Sequence, residues 1–297
     1  MESVIDTWNL NKKYPGKLAV NNVNLHVMRG DIYGFIGKNG AGKTTTMKML
    51  LGLANPTSGQ MALFGSTDLN AGRHRIGSLI EAPGIYRQCT AYENLKRLAV
   101  LTKSSDAEIL ELLRIVGLDQ TGSRKAGKFS LGMKQRLGIA LALLGNPEML
   151  ILDEPINGLD PAGIKGIRDI LLYLNQQCGV TILISSHLLD ELSKITTRYG
   201  IINNGWLVEE ITAEELAGKC ARNLLLRVSD VDGSLKILYE NGLLGRYEVR
   251  NDAILCYNDP SQVAVMNEKL VLGGIRVHEF RVNEGSYEDY FIERMGR

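Results

Sequence analysis

The chain has no excess of charge of either sign. Lys and Arg number 34 and Asp and Glu 33, leaving +1 over 297 residues. A nucleic-acid binder carries a basic footprint, so the balance offers no electrostatic case for nucleic acid as a partner. Cysteine is scarce as well: Cys89, Cys178, Cys220 and Cys256 lie far apart. That spacing excludes a metal-knuckle pattern and predicts buried thiols in a reducing compartment. No window approaches the roughly 20 apolar residues of a membrane span. The best candidate, Leu137 to Leu144, runs straight into Gly145-Asn146-Pro147. The N-terminal residues Met1 to Asp6 lack the basic region and apolar run of a signal peptide. The expectation is a soluble protein. With 44% hydrophobic and 23% charged residues it has enough apolar content for one large domain or two ordinary ones.

What is present centres on Gly37-Lys38-Asn39-Gly40-Ala41-Gly42-Lys43-Thr44-Thr45, which fits the phosphate-loop pattern G-x-x-x-x-G-K-[ST]. Asp31 to Ile36 ahead of it reads as a strand, and Thr44 to Leu51 behind it as a helix. Glycines let the backbone cup N–H donors around phosphates, and the helix presents its positive N-terminus to the same anion. Lys43 is expected to reach the outer phosphates and the Thr44 hydroxyl to hold Mg²⁺.

Upstream, residues 1–36 read as β structure, with Val20 to Val27 as one half-exposed strand that slips at Asn21-Asn22. Tyr14 stands in the turn before it and is a candidate to stack on adenine. Downstream, Gly59 to Gly65 and Arg75 to Glu81 read as short strands, the second ending in a carboxylate before Ala82-Pro83-Gly84. From Thr90 to about Val116 the pattern is helical, opened by the capping box Thr90-Ala91-Tyr92-Glu93. Ser130 is an N-cap for the apolar helix Leu131 to Leu144. The run Met149 to Leu152 predicts a buried parallel strand with Asp153 and Glu154 at its carboxyl end, where ligands bind in open α/β sheets. Such charges are buried only when paired or bound to a cation. A turn at Asn157 to Pro161 leads into a helix to Gln177, and Val180 to Ser185 predicts another buried strand ending at Ser186-His187. This alternation argues for a mostly parallel sheet. After about Gly218 the texture changes to strands at Asn223–Val228, Ala253–Tyr257 and Ile275–Val282. Helices are expected at Ser234–Glu240, Pro260–Leu272 and Tyr287–Met295. This β-α-β-α-β-α module contains no phosphate or metal motif.

The set of motifs resembles the ATP-binding subunit of an ABC transporter. Gly37 to Thr45 matches the Walker A loop, Leu150 to Glu154 the Walker B segment, Gly158-Leu159-Asp160 the D-loop and His187 the switch histidine. Phe129-Ser130-Leu131-Gly132-Met133-Lys134-Gln135-Arg136 stands where the family's LSGGQ signature belongs. The resemblance implies an α/β P-loop NTPase with an antiparallel β subdomain and a helical subdomain over residues 1–217. It leaves residues 218–297 as an accessory α+β domain, dispensable for ATP chemistry.

It also implies ATP and Mg²⁺ as ligands. Phosphates would be held by Gly37, Lys38, Asn39, Gly40, Ala41, Gly42, Lys43, Thr44 and Thr45, and Mg²⁺ by Thr44 and Asp153. Glu154 would be the general base and His187 a γ-phosphate contact. Ser130 and Gly132 would serve the nucleotide of a second, identical subunit, with Asp160 at the same junction. The implied partners are an integral membrane permease and that second ATP-binding subunit, on the inner face of the cell membrane.

Two departures stand out. The signature reads Phe-Ser-Leu-Gly-Met, and Glu81 occupies the place of the Q-loop glutamine, adding a negative charge to a coupling position. Glu81 to Gly84, the Ser-Leu-Gly-Met-Lys-Gln-Arg signature and the C-terminal module look like the bacitracin-type and lantibiotic-immunity exporters, with a general multidrug or lipid exporter as the alternative. A soluble ABC ATPase acting on ribosomes or DNA fits less well. The chain carries one cassette rather than two, and no heptad run splits its motifs.

Overall fold

The computed structural model describes residues 2–220, 223–250, 253–257, 260–283 and 286–296. The chain divides into two compact units, one of Met1–Ala213 with Phe291–Arg297 and a second of Glu214–Tyr290. The expected boundary at 217/218 falls inside the helix Ala213–Lys219.

In chain order the strands of the first unit are β1 (Ser3–Tyr14), β2 (Lys17–Val23), β3 (His26–Met28), β4 (Ile32–Ile36), β5 (Ser58–Leu63), β6 (Ile76–Leu79), β7 (Met149–Asp153), β8 (Thr181–Ser186), β9 (Arg198–Asn203) and β10 (Trp206–Thr212). The helices are α1 (Lys43–Leu50), α2 (Leu69–Arg73), α3 (Ala91–Thr102), α4 (Asp106–Ile115), α5 (Leu131–Ala142), α6 (Pro161–Gln176), α7 (Leu189–Leu192) and α8 (Ala213–Lys219). An antiparallel sheet runs β2-β1-β3, with β5 also on β1. A six-stranded sheet runs β10-β9-β4-β8-β7-β6, parallel from β9 to β6 and closed by antiparallel β10. Strands β4, β7 and β8 are buried at every position. This is the continuous apolar reading that a strand covered on both faces requires. Each buried Leu or Ile there contributes about 1.5–3 kcal/mol.

Local sequence sets the ends. Thr90 and Ser105 each form a complete capping box, which divides the helical stretch from Thr90 into α3 and α4 around Lys103 at φ 58°. The single strand expected at Val20 to Val27 is two strands, β2 ending at Val23 and β3 beginning at His26, with Asn24 and Leu25 between them and a left-handed Asn22 (φ 48°) within β2. The short helix α2, capped by Asp68, has no counterpart among the expected elements. The expectation of buried thiols holds for Cys256 alone. Cys178 is exposed and Cys89 and Cys220 are intermediate.

The second unit contains β11 (Asn223–Val228), α9 (Val231–Glu240), β12 (Tyr247–Arg250), β13 (Ala253–Cys256), α10 (Val263–Leu272) and β14 (Val277–Asn283). The sheet order is β12-β13-β11-β14, with antiparallel pairs throughout. This is a split β-α-β arrangement, β-α-β-β-α-β. Sequence periodicity had missed β12, an edge strand whose Tyr247 and Val249 are exposed. Leu224, Leu226, Ile254, Met266 and Leu270 form its core. Burial pushes the Cys256 thiol up to about 11.

A last helix, α11 (Tyr287–Gly296), ends the chain. Its residues from Phe291 onward belong with the first unit. Phe291 is fully buried, with its ring 5.5 Å from that of Tyr199 on β9. Arg294 pairs with Glu209 on β10 at 3.0 Å. Of the stretch 218–297 expected as an accessory domain, the residues from Phe291 onward cluster with the first unit.

Candidate functional site

Three adjacent strands of the six-stranded sheet, β4, β8 and β7, end at one edge. The loop after β4 is Gly37 to Gly42, and α1 begins at Lys43. Gly42 has φ 115°, and a Cβ there would lie 2.6 Å from the Ala19 carbonyl oxygen. A Cβ on Gly37 would lie 2.4 Å from the carbonyl oxygen of Ile202. Both positions demand glycine, and the loop is thereby clamped between β2 and β9. A cavity of about 160 Å³ results, lined by Lys17, Ala19, Lys38, Asn39, Gly40, Gly42, Lys43, Thr44, Thr45 and Glu154. Of the expected phosphate-binding residues, Gly37 and Ala41 support the loop without lining the cavity.

Lys43 is buried, with Nζ 2.5 Å from the Gly37 carbonyl oxygen and 3.3 Å from Glu154 Oε1. Thr44 Oγ1 donates to Asp153 Oδ2 at 2.8 Å. Asp153 is buried at the end of β7, opposite Ser185 of β8 in parallel register. Ser185 Oγ donates to Asp153 Oδ1 at 2.6 Å and accepts from the Glu154 N–H at 2.9 Å. Glu154 has φ 50°, a left-handed conformation rare for a residue with a side chain. Strain of this kind gathers at functional sites. It aims one carboxylate oxygen, Oε2, at His187 Nδ1, 2.8 Å away. The other, Oε1, is buried beside Lys43 with no aligned hydrogen-bond donor. Glu154 lines the cavity, so its carboxylate is placed where a water attacking a bound phosphate would meet a base.

Thr44 and Asp153 supply hard oxygen donors side by side. Among the described residues there is no group of three or more His, Cys, Asp or Glu side chains that would cage a metal. A magnesium ion bound by one carboxylate and one hydroxyl takes its remaining ligands from phosphates and water, so the residues present fit Mg²⁺ in that mode.

The other expected residues lie outside the cavity. Tyr14 closes β1 opposite Lys17, half-exposed, with Lys12 Nζ 5.0 Å above its ring. Ser130 caps α5 and accepts from the Met133 N–H at 3.3 Å. Gly132 lies in the first turn of that helix. Asp160 caps α6, accepting from the Gly163 N–H at 3.2 Å. Glu81, at φ 62°, pairs with Lys48 of α1 at 2.5 Å and is largely exposed. That pairing raises the Lys48 ammonium above its ordinary range.

The ABC transporter family model matches residues 20–157. The chain is 43% identical to the bacitracin transport ATP-binding protein BcrA of Bacillus licheniformis, covering all of this chain and 98% of that protein. It is 44% identical to the lantibiotic transport ATP-binding protein SrtF of Streptococcus pyogenes, over 68% of this chain and 88% of that one. The chain belongs to the ATP-binding subunits of ABC transporters. Among solved structures, cbiO1 of Clostridium perfringens, part of the ABC transporter complex cbiONQ, superposes with a TM-score of 0.66 at 25% identity. That match covers 74% of this chain and 92% of cbiO1.

This ABC ATPase therefore has the α/β P-loop fold and hydrolyses ATP in coupling to transport. Subunits of the family work with membrane permease subunits and as dimers. No helix among the described residues is long and apolar enough to cross a membrane. Sequence reasoning missed Ser185, whose hydroxyl holds the Asp153 carboxylate and the backbone N–H of Glu154. Its only signal was its position at the end of a strand neighbouring theirs. It also missed Lys48, whose partner Glu81 is 33 residues away in sequence.

Proposed function

We propose that this subunit powers an exporter that clears peptide antibiotics of the bacitracin or lantibiotic type from the membrane. The relationship to BcrA over the whole chain carries this reading, because it extends through the C-terminal module as well as the ATPase unit. The subunit acts on the cytoplasmic side of the membrane.

Lys43 and the loop N–H groups hold the phosphates of ATP, and Tyr14 stacks on the adenine. Thr44 and Asp153 hold Mg²⁺, which when bound neutralises charge developing between the outer phosphates. Glu154 accepts the proton of the attacking water, and His187, hydrogen-bonded to it, orients the carboxylate and faces the γ-phosphate. Ser130 and Gly132 of a second copy complete the site from the opposite side, with Asp160 at the junction, so that two half-sites close on two nucleotides.

Glu81 acts in coupling rather than in chemistry. Beside it lies a groove of about 520 Å³ lined by Ala82 to Arg87, Leu131 and Lys134, with Tyr86 half-exposed. This groove is a fitting surface for the permease.

The test is growth inhibition by bacitracin and by a lantibiotic in a susceptible strain expressing the chain with its permease. Protection by the wild type that is lost in Glu154→Gln supports the reading. Equal protection against unrelated hydrophobic drugs, with none against the peptides, contradicts it.

A further inference from the structure

Three lysines and one glutamate line the phosphate cavity. Lys43 is committed to Gly37 and Glu154. Lys38 Nζ reaches the carbonyl oxygen of Met295 at 3.5 Å. Lys17 alone of the three has no ion-pair or side-chain hydrogen-bond partner among the described residues, although it stands at the mouth of the same cavity.

Its position is fixed by the sheet. Lys17 opens β2, paired across the hairpin with Tyr14. Side chains two apart on a strand share a face. Lys17 and Ala19 therefore both face the loop, while Leu18 between them points away and is exposed. The Ala19 carbonyl sits against Gly42 and holds this register. Lys17 Nζ comes within 3.8 Å of where a Cβ on Gly40 would be, and nothing else does.

We propose that Lys17 is a second phosphate-binding cation, which closes over the open face of the loop at Gly40 and clamps the polyphosphate between itself and Lys43. The proposal rests on the reading of this cavity as an ATP site. Charge count supports it. A nucleoside triphosphate brings about four negative charges, of which a divalent cation offsets two, and Lys43 already faces Glu154. An unpaired ammonium at the cavity mouth completes the balance. Because it is exposed, its attraction is screened, and an effect of about tenfold on affinity is the expected scale, equivalent to about 1.4 kcal/mol.

The test uses the full chain with Mg²⁺ and displacement of a fluorescent ATP analogue by ATP, ADP and AMP, alongside steady-state hydrolysis. Lys17→Ala is expected to weaken ATP about tenfold and ADP less, to leave AMP unchanged, and to raise KM with kcat little altered. Lys17→Arg should restore most of the loss, and Lys17→Glu should exceed it. Steeper salt dependence of ATP binding in the wild type than in Lys17→Ala is a further expected mark. ATP affinity in Lys17→Ala within twofold of wild type overturns the proposal. So does an equal loss for AMP and ATP, which would indicate a distorted hairpin instead. If the wild type binds neither ATP nor ADP, the ATP reading of the cavity falls first and the proposal with it.

Discussion

Replacing Glu154 by Gln removes a charge and a proton acceptor while keeping shape. The amide can still meet His187, now 2.8 Å from Oε2, and the Ser185 hydroxyl still receives the residue 154 N–H. General-base catalysis is worth about 10²–10⁴ in rate, so phosphate release should fall by about that range. Binding should move the other way. The carboxylate lies 3.3 Å from Lys43 Nζ and competes with the γ-phosphate for it. At an effective dielectric of 20 two unit charges at that separation interact by about 5 kcal/mol. Only a fraction of this is recovered when phosphate takes over the ammonium, and ATP should bind about tenfold more tightly. The variant should then accumulate as an ATP-bound dimer. Single-turnover phosphate release, equilibrium ATP titration and gel filtration with ATP measure the three quantities. Turnover within about threefold of wild type would refute the assignment, because a true base does not survive as an amide.

Four further outcomes are expected. Glu81→Gln breaks an exposed ion pair with Lys48, worth about 0–1 kcal/mol. Basal ATPase should persist while peptide protection in cells weakens, and loss of hydrolysis by the isolated protein would move Glu81 into the chemistry. Phe291→Ala empties a fully buried site against Tyr199 and should cost about 3–5 kcal/mol in urea unfolding of the first unit, whereas an effect below about 1 kcal/mol would deny that the last helix belongs to it. Arg75 and Arg29 hold the Glu148 carboxyl down at about 2 against an ordinary 4.5. A depressed acid stabilises above its unfolded value and loses that contribution as pH falls from about 4.5 to about 2. With the side chain two-fifths exposed the contribution is about 1 kcal/mol, and the gap between wild type and Glu148→Gln should close over that window. Ser185→Ala should loosen the Asp153 carboxylate and the backbone at Glu154, lowering kcat about tenfold or more with little change in ATP affinity. Conservative Ser185→Thr should recover part of it if the hydroxyl is what matters.

The phosphate loop and the carboxylate pair were legible in sequence for a physical reason. Backbone N–H donors require the glycines at fixed spacing, and two adjacent acids after four apolar residues announce a buried strand end. The parallel strands β7 and β8 were legible for the same cause. Contacts that depend on tertiary approach were not. Ser185 is an ordinary strand residue until β8 pairs with β7 and sets it opposite Asp153. Lys17 looks like any turn lysine until the Ala19 carbonyl meets Gly42. The split of β2 from β3 at Asn24-Leu25 and the edge strand β12 turn on backbone conformation and pairing, which periodicity does not carry. The return of Phe291 to the first unit was hidden because an amphipathic terminal helix does not state which core it serves.

The central claim is that this half-site works only when a second copy supplies Ser130 and Gly132. Mixing a Ser130→Arg chain with a Lys43→Ala chain tests it directly, since each alone should be inactive. In the mixed dimer one site keeps an intact Lys43 from one chain and an intact Ser130 from the other. Random pairing then restores up to about one quarter of wild-type phosphate release, with a concentration dependence that follows dimer formation. Activity in the mixture no greater than the sum of the two separate chains, or hydrolysis by wild type at a specific rate independent of concentration down to monomer, would contradict it.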